Sequence, residues 1–135
     1  MRYPLDELLD KKAIVQLKIE RIPDSEEDKT RLRKEFDDYA KAIREYINEG
    51  ACTEEQAIDW ARQLYDANGK TWDLEAGIRK GQLGNMSLEE VGKTAIAIRE
   101  SNGLRIKIKS DIVKTTGIGY RDIKVNHASQ DRSKP

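Results

Sequence analysis

The stretch from Leu64 to Ile112, LYDANGKTWDLEAGIRKGQLGNMSLEEVGKTAIAIRESNGLRIKIKSDI, decides the fold of this chain. It has the pattern of two helices joined by a tight turn. We predict that the helices run from Glu54 to Lys80 and from Leu88 to Thr116. Gly81 and Gly117 follow these helices, where a glycine can adopt the left-handed conformation that closes a last turn.

Both predicted helices begin with the spacing of a capping box. Thr53 is followed three residues later by Gln56, and Ser87 is followed three residues later by Glu90. In a capping box the first hydroxyl accepts from a backbone N–H, and the later side chain bonds back to the cap. The two starting points are therefore the firmest boundaries in the sequence.

One face of each predicted helix changes from apolar to polar along its length. The residues on these faces recur at spacings of three and four, as expected for a buried helical stripe. On the first helix the stripe is Ala57, Ala61, Leu64, Asn68, Trp72, Glu75 and Arg79. On the second helix it is Leu88, Val91, Ala95, Ile98, Asn102, Arg105, Lys109 and Ile112. Polar groups thus occupy faces that we expect to be buried.

These polar residues have two interpretations, which the sequence leaves open. They form either a satisfied network that fixes the register of a bundle, or a ligand site. The candidate ligand-binding residues are Asn68, Trp72, Arg79, Arg99, Asn102, Arg105 and Lys109. Arginine forks bind carboxylates and phosphates, so the expected ligand is a small anion. Glu75 is the candidate acid or base, and an antiparallel hairpin predicts that it lies beside Lys93.

The same positions carry a resemblance to an uncharacterised family of small all-helical bacterial proteins. The motifs are NxxxWxxExxxR from Asn68 to Arg79, IRxxNxxRxxxKxxI from Ile98 to Ile112, and LLDKxxIxxLKIERI from Leu8 to Ile22. They cover about two thirds of the chain in separate pieces. The resemblance implies an all-helical fold and polar positions that act together. It implies no activity, because the family has none assigned.

Two further helices are predicted before the central pair. The first runs from Pro4 to Ile22 and is stopped by Pro23, and the second runs from Ser25 to Gly50. A seam at three–four spacing on the second helix faces the first. This seam comprises Leu32, Phe36, Tyr39, Ile43 and Ile47. Two polar residues of the first helix, Asp10 and Lys18, are interpreted as members of surface ion pairs.

Composition narrows the classes of function. The 135 residues carry 25 basic and 25 acidic side chains, so no net charge draws the chain to nucleic acid or an anionic membrane. No apolar run is long enough to span a membrane, and a single cysteine, Cys52, suits a reducing compartment. We therefore expect a cytoplasmic protein. With one histidine and no CxxC or HExxH, we expect no metal site and no cofactor.

The sequence thus predicts an all-α protein, an antiparallel four-helix bundle of two hairpins with an irregular C-terminal arm. The bundle spans residues 1–116 and the arm spans residues 117–135. The leading hypothesis is a binding or assembly module whose polar inner face holds a small anionic ligand. The alternative is an enzyme acting on a phosphorylated or carboxylated metabolite, including a magnesium-dependent all-α nucleotide pyrophosphatase. We also expect a homodimer, to which the C-terminal arm contributes.

Overall fold

A computed structural model describes residues 2–23, 26–84 and 86–120, without the side chains of residues 81–83. It contains four helices, α1 (Leu5–Arg21), α2 (Glu26–Asn48), α3 (Glu54–Leu83) and α4 (Leu88–Thr116), and the described residues form no strand. The helices pack as a four-helix bundle, which confirms the predicted fold class. Most of the predicted C-terminal arm, residues 121–135, lies outside the described residues.

The capping box at Thr53 forms in full, and at Ser87 the hydroxyl half of the predicted box forms, whereas Ser25, the predicted start of the second helix, lies outside the described residues. The backbone N–H of Gln56 donates to Thr53 Oγ1 over 3.1 Å, and the N–H of Thr53 donates to Gln56 Oε1 over 2.9 Å. Ser87 Oγ accepts from the backbone N–H of Glu90. Gly117 ends α4 with φ of 71°, a left-handed conformation that side chains disfavour. Sequence chemistry therefore sets three of the ends of the central hairpin.

The helices end or begin within one to three residues of the predicted boundaries. Helix α3 continues past Gly81 to Leu83, because a helix tolerates an internal glycine at a cost of about 1 kcal/mol. Helix α1 ends at Arg21, because Ile22 precedes Pro23 and is extended, with ψ of 123°. A residue before proline is driven out of the helical region by the proline ring.

Helix α1 is the centre of the bundle. It packs against α2, α3 and α4, whereas the described parts of α2 and α4 do not contact each other. Its apolar side chains are accordingly buried on more than one side. The buried residues of α1 are Leu5, Asp6, Leu8, Leu9, Asp10, Ala13, Val15 and Leu17.

The predicted seam of α2 packs on α1. Ile43 is buried, and Phe36, Tyr39 and Ile47 are half-buried. Lys12 of α1, which interrupts the apolar stripe of that helix, places its ammonium 5.0 Å from the centre of the Phe36 ring. Burial lowers the pKa of this lysine. The ammonium group of Lys12 thus lies over the aromatic ring, partly removed from water.

The four helices differ in length, and this difference shapes the molecule. Helix α1 has 17 residues, whereas α3 has 30 and α4 has 29. At the end of α1, Arg21 forms an ion pair with Asp73 of α3. We call residues 74–100 the projecting hairpin, and the remaining helical residues the base. No described residue of the projecting hairpin is buried.

Candidate functional site

A polar cluster fills the space between α1, α3 and α4 in the base. Its centre is Asp10, whose carboxylate is only 2% exposed. Arg105 of α4 donates to it from Nε and Nη2 over 2.8 to 3.0 Å, and Asn68 of α3 donates to it over 2.9 Å. A bidentate arginine provides the geometry that a buried carboxylate needs. The interpretation of Asp10 as a surface residue is therefore wrong.

A second ion pair extends the cluster towards the ends of α1 and α4. Lys109 Nζ donates to Glu7 Oε1 over 2.6 Å and lies 3.6 Å from Asp10 Oδ2. Both basic residues predicted at this point, Arg105 and Lys109, therefore already have a carboxylate partner within the chain. The cluster neutralises its own charges, as buried ions must.

Asp6 is the one residue of this region whose charge is poorly compensated. Its side chain is 7% exposed, and its Oδ1 has no hydrogen-bond partner among the described residues. Burial raises the pKa of this carboxyl, and the neighbouring Glu7 raises it further. The oxygen lies against Gly119, where an added methyl group would come within 2.9 Å of it. Glycine at residue 119, with φ of 108°, thus leaves room for this carboxyl group.

The seam between α3 and α4 is also partly polar. Ser101 Oγ donates to the carbonyl oxygen of Ala67 over 3.1 Å, and Thr71 Oγ1 donates to Ser101 Oγ over 2.7 Å. Ser101 is buried, so these bonds satisfy a hydroxyl that water does not reach. The sequence analysis did not select either hydroxyl residue.

A cavity of about 190 Å³ opens beside the Asp10 cluster. It lies where the C-terminal part of α1 passes between α3 and α4. Its lining consists of Ile14, Leu17, Asn68, Thr71, Trp72, Glu75, Asn102 and Arg105. Five of these eight residues were selected from the sequence as site residues. The polar stripes of α3 and α4 therefore do meet beside α1, at the junction between the base and the projecting hairpin, to which Glu75 belongs.

Three of the residues that line the cavity have free polar groups. Trp72, Glu75 and Asn102 make no side-chain hydrogen bond or ion pair with any described residue, although Trp72 and Asn102 are half-buried. Glu75 is exposed. The charge of Arg105 is balanced by Asp10, so the unbalanced charge at this cavity is the carboxylate of Glu75.

The remaining predicted residues do not join the cavity. Arg79 and Arg99 are exposed and lie in the projecting hairpin, so they do not converge inside the bundle. Lys93 pairs with Glu89 of its own helix over 3.3 Å, rather than with Glu75. Helix α1 ends before the levels of Arg79 and Arg99 and does not cover them, whereas Lys93 lies with Glu89 on the outer side of α4.

The sequence contained one clue to the central role of Asp10. Helix α1 carries apolar residues around most of its circumference, which is typical of a helix that is buried on several sides. A carboxylate in such a helix needs a buried cation. Arg105 and Lys109 in the stripe of α4 supply this cation. The sequence did not show that α4 packs against α1, so it did not link these two residues to Asp10.

The described residues show neither a metal-binding group nor a membrane span. They contain no group of three or more histidine, cysteine, aspartate or glutamate side chains placed to hold a metal ion. None of the four helices combines the length and the apolar character that crossing a bilayer requires.

Comparison with known proteins identifies no relative of this chain. No protein-family model, no curated protein and no solved structure matches it. The resemblance to an uncharacterised helical family therefore stays a prediction. What the chain does has to be argued from its own geometry.

Proposed function

We propose that the protein is a helical assembly module in which the base holds the projecting hairpin ready to dock. The observation that supports this most strongly is the change in burial along one continuous pair of stripes. The same faces of α3 and α4 that are buried against α1 in the base continue beyond the end of α1 without a cover. A second helical element is the natural occupant of that space.

The stripe of α4 illustrates the change. In the base it contains Ile112, which is fully buried, and the ion-paired Lys109 and Arg105. In the projecting hairpin Ile98 and Val91 are half-buried, whereas Ala95 is exposed and Leu88 is 91% exposed. We call the six residues on this side of the projecting hairpin the uncovered face. They are Glu75, Arg79, Leu88, Val91, Ala95 and Ile98.

The opposite side of α4 has a different character. Glu89 and Lys93 pair there at the (i, i+4) spacing, and both are exposed. The same outer side carries Ile96, which is 49% exposed, so apolar residues of the N-terminal half of α4 are concentrated on the inner side without being confined to it. An isolated two-helix hairpin buries too little surface to be stable on its own, so its apolar side requires a partner. The base supplies the anchor, and the uncovered face supplies the docking surface.

Limited proteolysis tests this function. In dilute protein, trypsin should cleave after Arg79 and Lys80 before it cleaves after Lys18 or Lys109, which lie in helices of the base. A protease acts on locally opened chain, and the projecting hairpin has the fewest buried contacts. Equal resistance of both regions in a monomer would show that the hairpin needs no partner and would refute the proposal.

A second candidate function is the binding of a small molecule in the 190 Å³ cavity. It is favoured by the free side chains of Trp72, Glu75 and Asn102. Because Arg105 and Lys109 are already paired, this arrangement suits a neutral or cationic polar ligand better than the anion first expected. The midpoint of thermal unfolding, measured with ethanolamine, tetramethylammonium and inorganic phosphate, separates these ligand classes. Ligand at 100 times its Kd would add about 2.7 kcal/mol of stability.

The enzyme alternative depends on Glu75 as the acid or base, and no second catalytic group lines the described cavity beside it. A cytoplasmic location is part of the proposal. It is supported by Cys52, a single buried thiol, which suits a reducing compartment.

A further inference from the structure

We infer that the cavity beside the Asp10 cluster binds the ammonium group of a small organic amine, and that Asn68 Oδ1 recognises the N–H groups of this ligand. The inference rests on the second candidate function, the binding of a small molecule in this cavity, and it names the chemical class of the ligand. It is independent of the docking of the projecting hairpin. It follows from one hydrogen-bond acceptor that the fold positions and leaves unused.

The fold fixes the direction in which the side-chain amide of Asn68 points. Its nitrogen Nδ2 donates to Asp10 Oδ1 and to the carbonyl oxygen of Leu64, each over 2.9 Å. Both partners are acceptors, so turning the amide round would place its oxygen against two other oxygens. The two hydrogens of Nδ2 are thereby both used. The carbonyl oxygen Oδ1 is therefore held on the other side of the amide.

This Oδ1 is an unused acceptor on a nearly buried residue. It accepts no hydrogen bond from any described residue, although Asn68 is only 8% exposed. Among the described residues, the one fully enclosed side-chain polar atom without a partner is Asp6 Oδ1, so Asn68 Oδ1 is still accessible from the cavity that Asn68 lines. An acceptor in such surroundings gains when a donor is placed beside it, because little water competes for it.

The charges around the cavity favour a donor that is positively charged. Three carboxylates and two cations lie here, namely Glu7, Asp10, Glu75, Arg105 and Lys109. Arg105 pairs with Asp10, and Lys109 pairs with Glu7, so the charge of Glu75 remains uncompensated. An ammonium group would balance this charge, whereas an anion would add to the excess.

The rest of the lining suits a short alkyl chain. Ile14, Leu17 and Trp72 contribute apolar surface to the cavity, and an indole ring near a cation stabilises it further. A volume of about 190 Å³ accommodates only a small molecule. The ligand is therefore a short primary amine. With so few atoms in contact, its dissociation constant should lie in roughly the millimolar range.

The test is an NMR titration of the full chain, with the side-chain amide of Asn68 and the indole N–H of Trp72 as reporters. The probe is n-propylammonium. Its matched control is propyltrimethylammonium, which carries the same charge and no N–H group. Propylammonium should shift both reporters to saturation. The trimethyl compound should bind at least about tenfold more weakly, because the hydrogen bonds to Asn68 Oδ1 are lost.

A variant tests the contribution of the charge. Glu75→Gln should weaken the binding of propylammonium by about three- to fivefold, since the attraction acts at a partly solvated site. Glu75 is exposed and makes no bond to a described residue, so the fold does not depend on its charge. Glu100→Gln makes the same change at an exposed residue of α4 that does not line the cavity. It is the matched control and should leave the affinity unchanged.

The outcomes separate this inference from the candidate function on which it rests. Equal affinity for the two ammonium probes, or binding that Glu75→Gln leaves unchanged, refutes recognition of an ammonium group through its N–H groups. Propionate, which has the opposite charge, is the third probe. If propionate alone shifts the reporters, the cavity binds small molecules, but amines are not its ligands. If no probe shifts them, binding in the cavity fails as well, whereas the assembly function, tested by proteolysis, is unaffected.

Discussion

At the scale of single residues, Asp10 determines how the base is held together. It accepts from Arg105 and Asn68, lies near Lys109, and thereby links α1 to both helices of the central hairpin. A buried ion pair adds little net stability compared with apolar residues of the same shape. Removing one partner is nevertheless strongly destabilising, because the other charge is left buried and unpaired. The cluster therefore selects one register of α1 against α4.

Removing one member of the pair should show this asymmetry. Arg105→Met leaves the carboxylate of Asp10 buried without its main partner, and should lower the free energy of unfolding by about 3–5 kcal/mol. Adding Asp10→Leu to this variant should recover most of that loss. Urea unfolding of the single and double variants measures both effects. Arg99→Met, at an exposed position of the same helix, should change stability by less than about 0.5 kcal/mol.

If adding Asp10→Leu did not recover the lost stability, this account of the Asp10–Arg105 pair would be contradicted. If the double variant were as unstable as Arg105→Met alone, the arginine would contribute through packing rather than through its charge on Asp10.

The carboxyl group of Asp6 predicts a pH dependence. Its pKa is raised in the folded chain from the ordinary value of 3.8, so the folded state binds the proton more tightly than the unfolded state. This contribution to the free energy of unfolding therefore falls as the pH rises from about 3.8 through the raised pKa. Asp6→Asn removes that loss. The variant should be more stable than the parent at pH 7, by an amount of the order of 1 kcal/mol.

Denaturation of the parent and of Asp6→Asn at a series of pH values measures the difference directly. Other titrating groups, such as Glu49, whose pKa is lowered by Arg2, are common to both proteins and cancel. Parallel stability curves, with the same gap at pH 3 and pH 7, would show that the charge of Asp6 is not the cause.

Residue types alone predicted part of the site. Asn68, Asn102, Arg105 and Lys109 were recognised because polar side chains interrupted an apolar period. The role of Asp10 was not recognised, because its neighbours in the sequence do not show whether a carboxylate lies on a helix surface or in a core. The difference depends on which helix lies opposite, and spacing within one helix does not contain that information.

At the scale of elements, each helix of the central hairpin carries two sets of inward-facing residues. The stripes selected from the sequence face α1, whereas a second set of positions forms the seam between α3 and α4. That seam includes Ala67 and Thr71 on α3, and Ser101 on α4. Helical periodicity predicted that each helix has an inner side, and the caps predicted where they begin. It did not predict where α1 stops covering that side.

This difference between the base and the projecting hairpin can be measured by truncating leucines. Leu64→Ala, at a fully buried position of α3 in the base, should lower the free energy of unfolding by about 2–5 kcal/mol. Leu74→Ala, at a half-buried position ten residues further along α3, should cost less than about 1.5 kcal/mol in dilute protein, because fewer atoms surround it. Equal losses at both positions would mean that the hairpin has a core of its own.

At the scale of the whole molecule, unequal helix length is the feature from which the function is argued. Helix α1 is about 25 Å long, while α3 is about 45 Å long, so some 15 Å of α3 extends past its last ion pair with α1. The fold class was predictable from the sequence because four capped or proline-bounded amphipathic segments leave few other arrangements. The projecting hairpin was not predictable, because it depends on the level at which α1 docks.

Amide hydrogen exchange tests the central claim, that the projecting hairpin is incomplete in a single chain and is completed by docking. In dilute protein, residues 74–83 and 88–100 should exchange much faster than the buried parts of α1 and α3 in the base, which serve as the internal reference. The account would be contradicted by a hairpin that is as well protected as the base in dilute monomer.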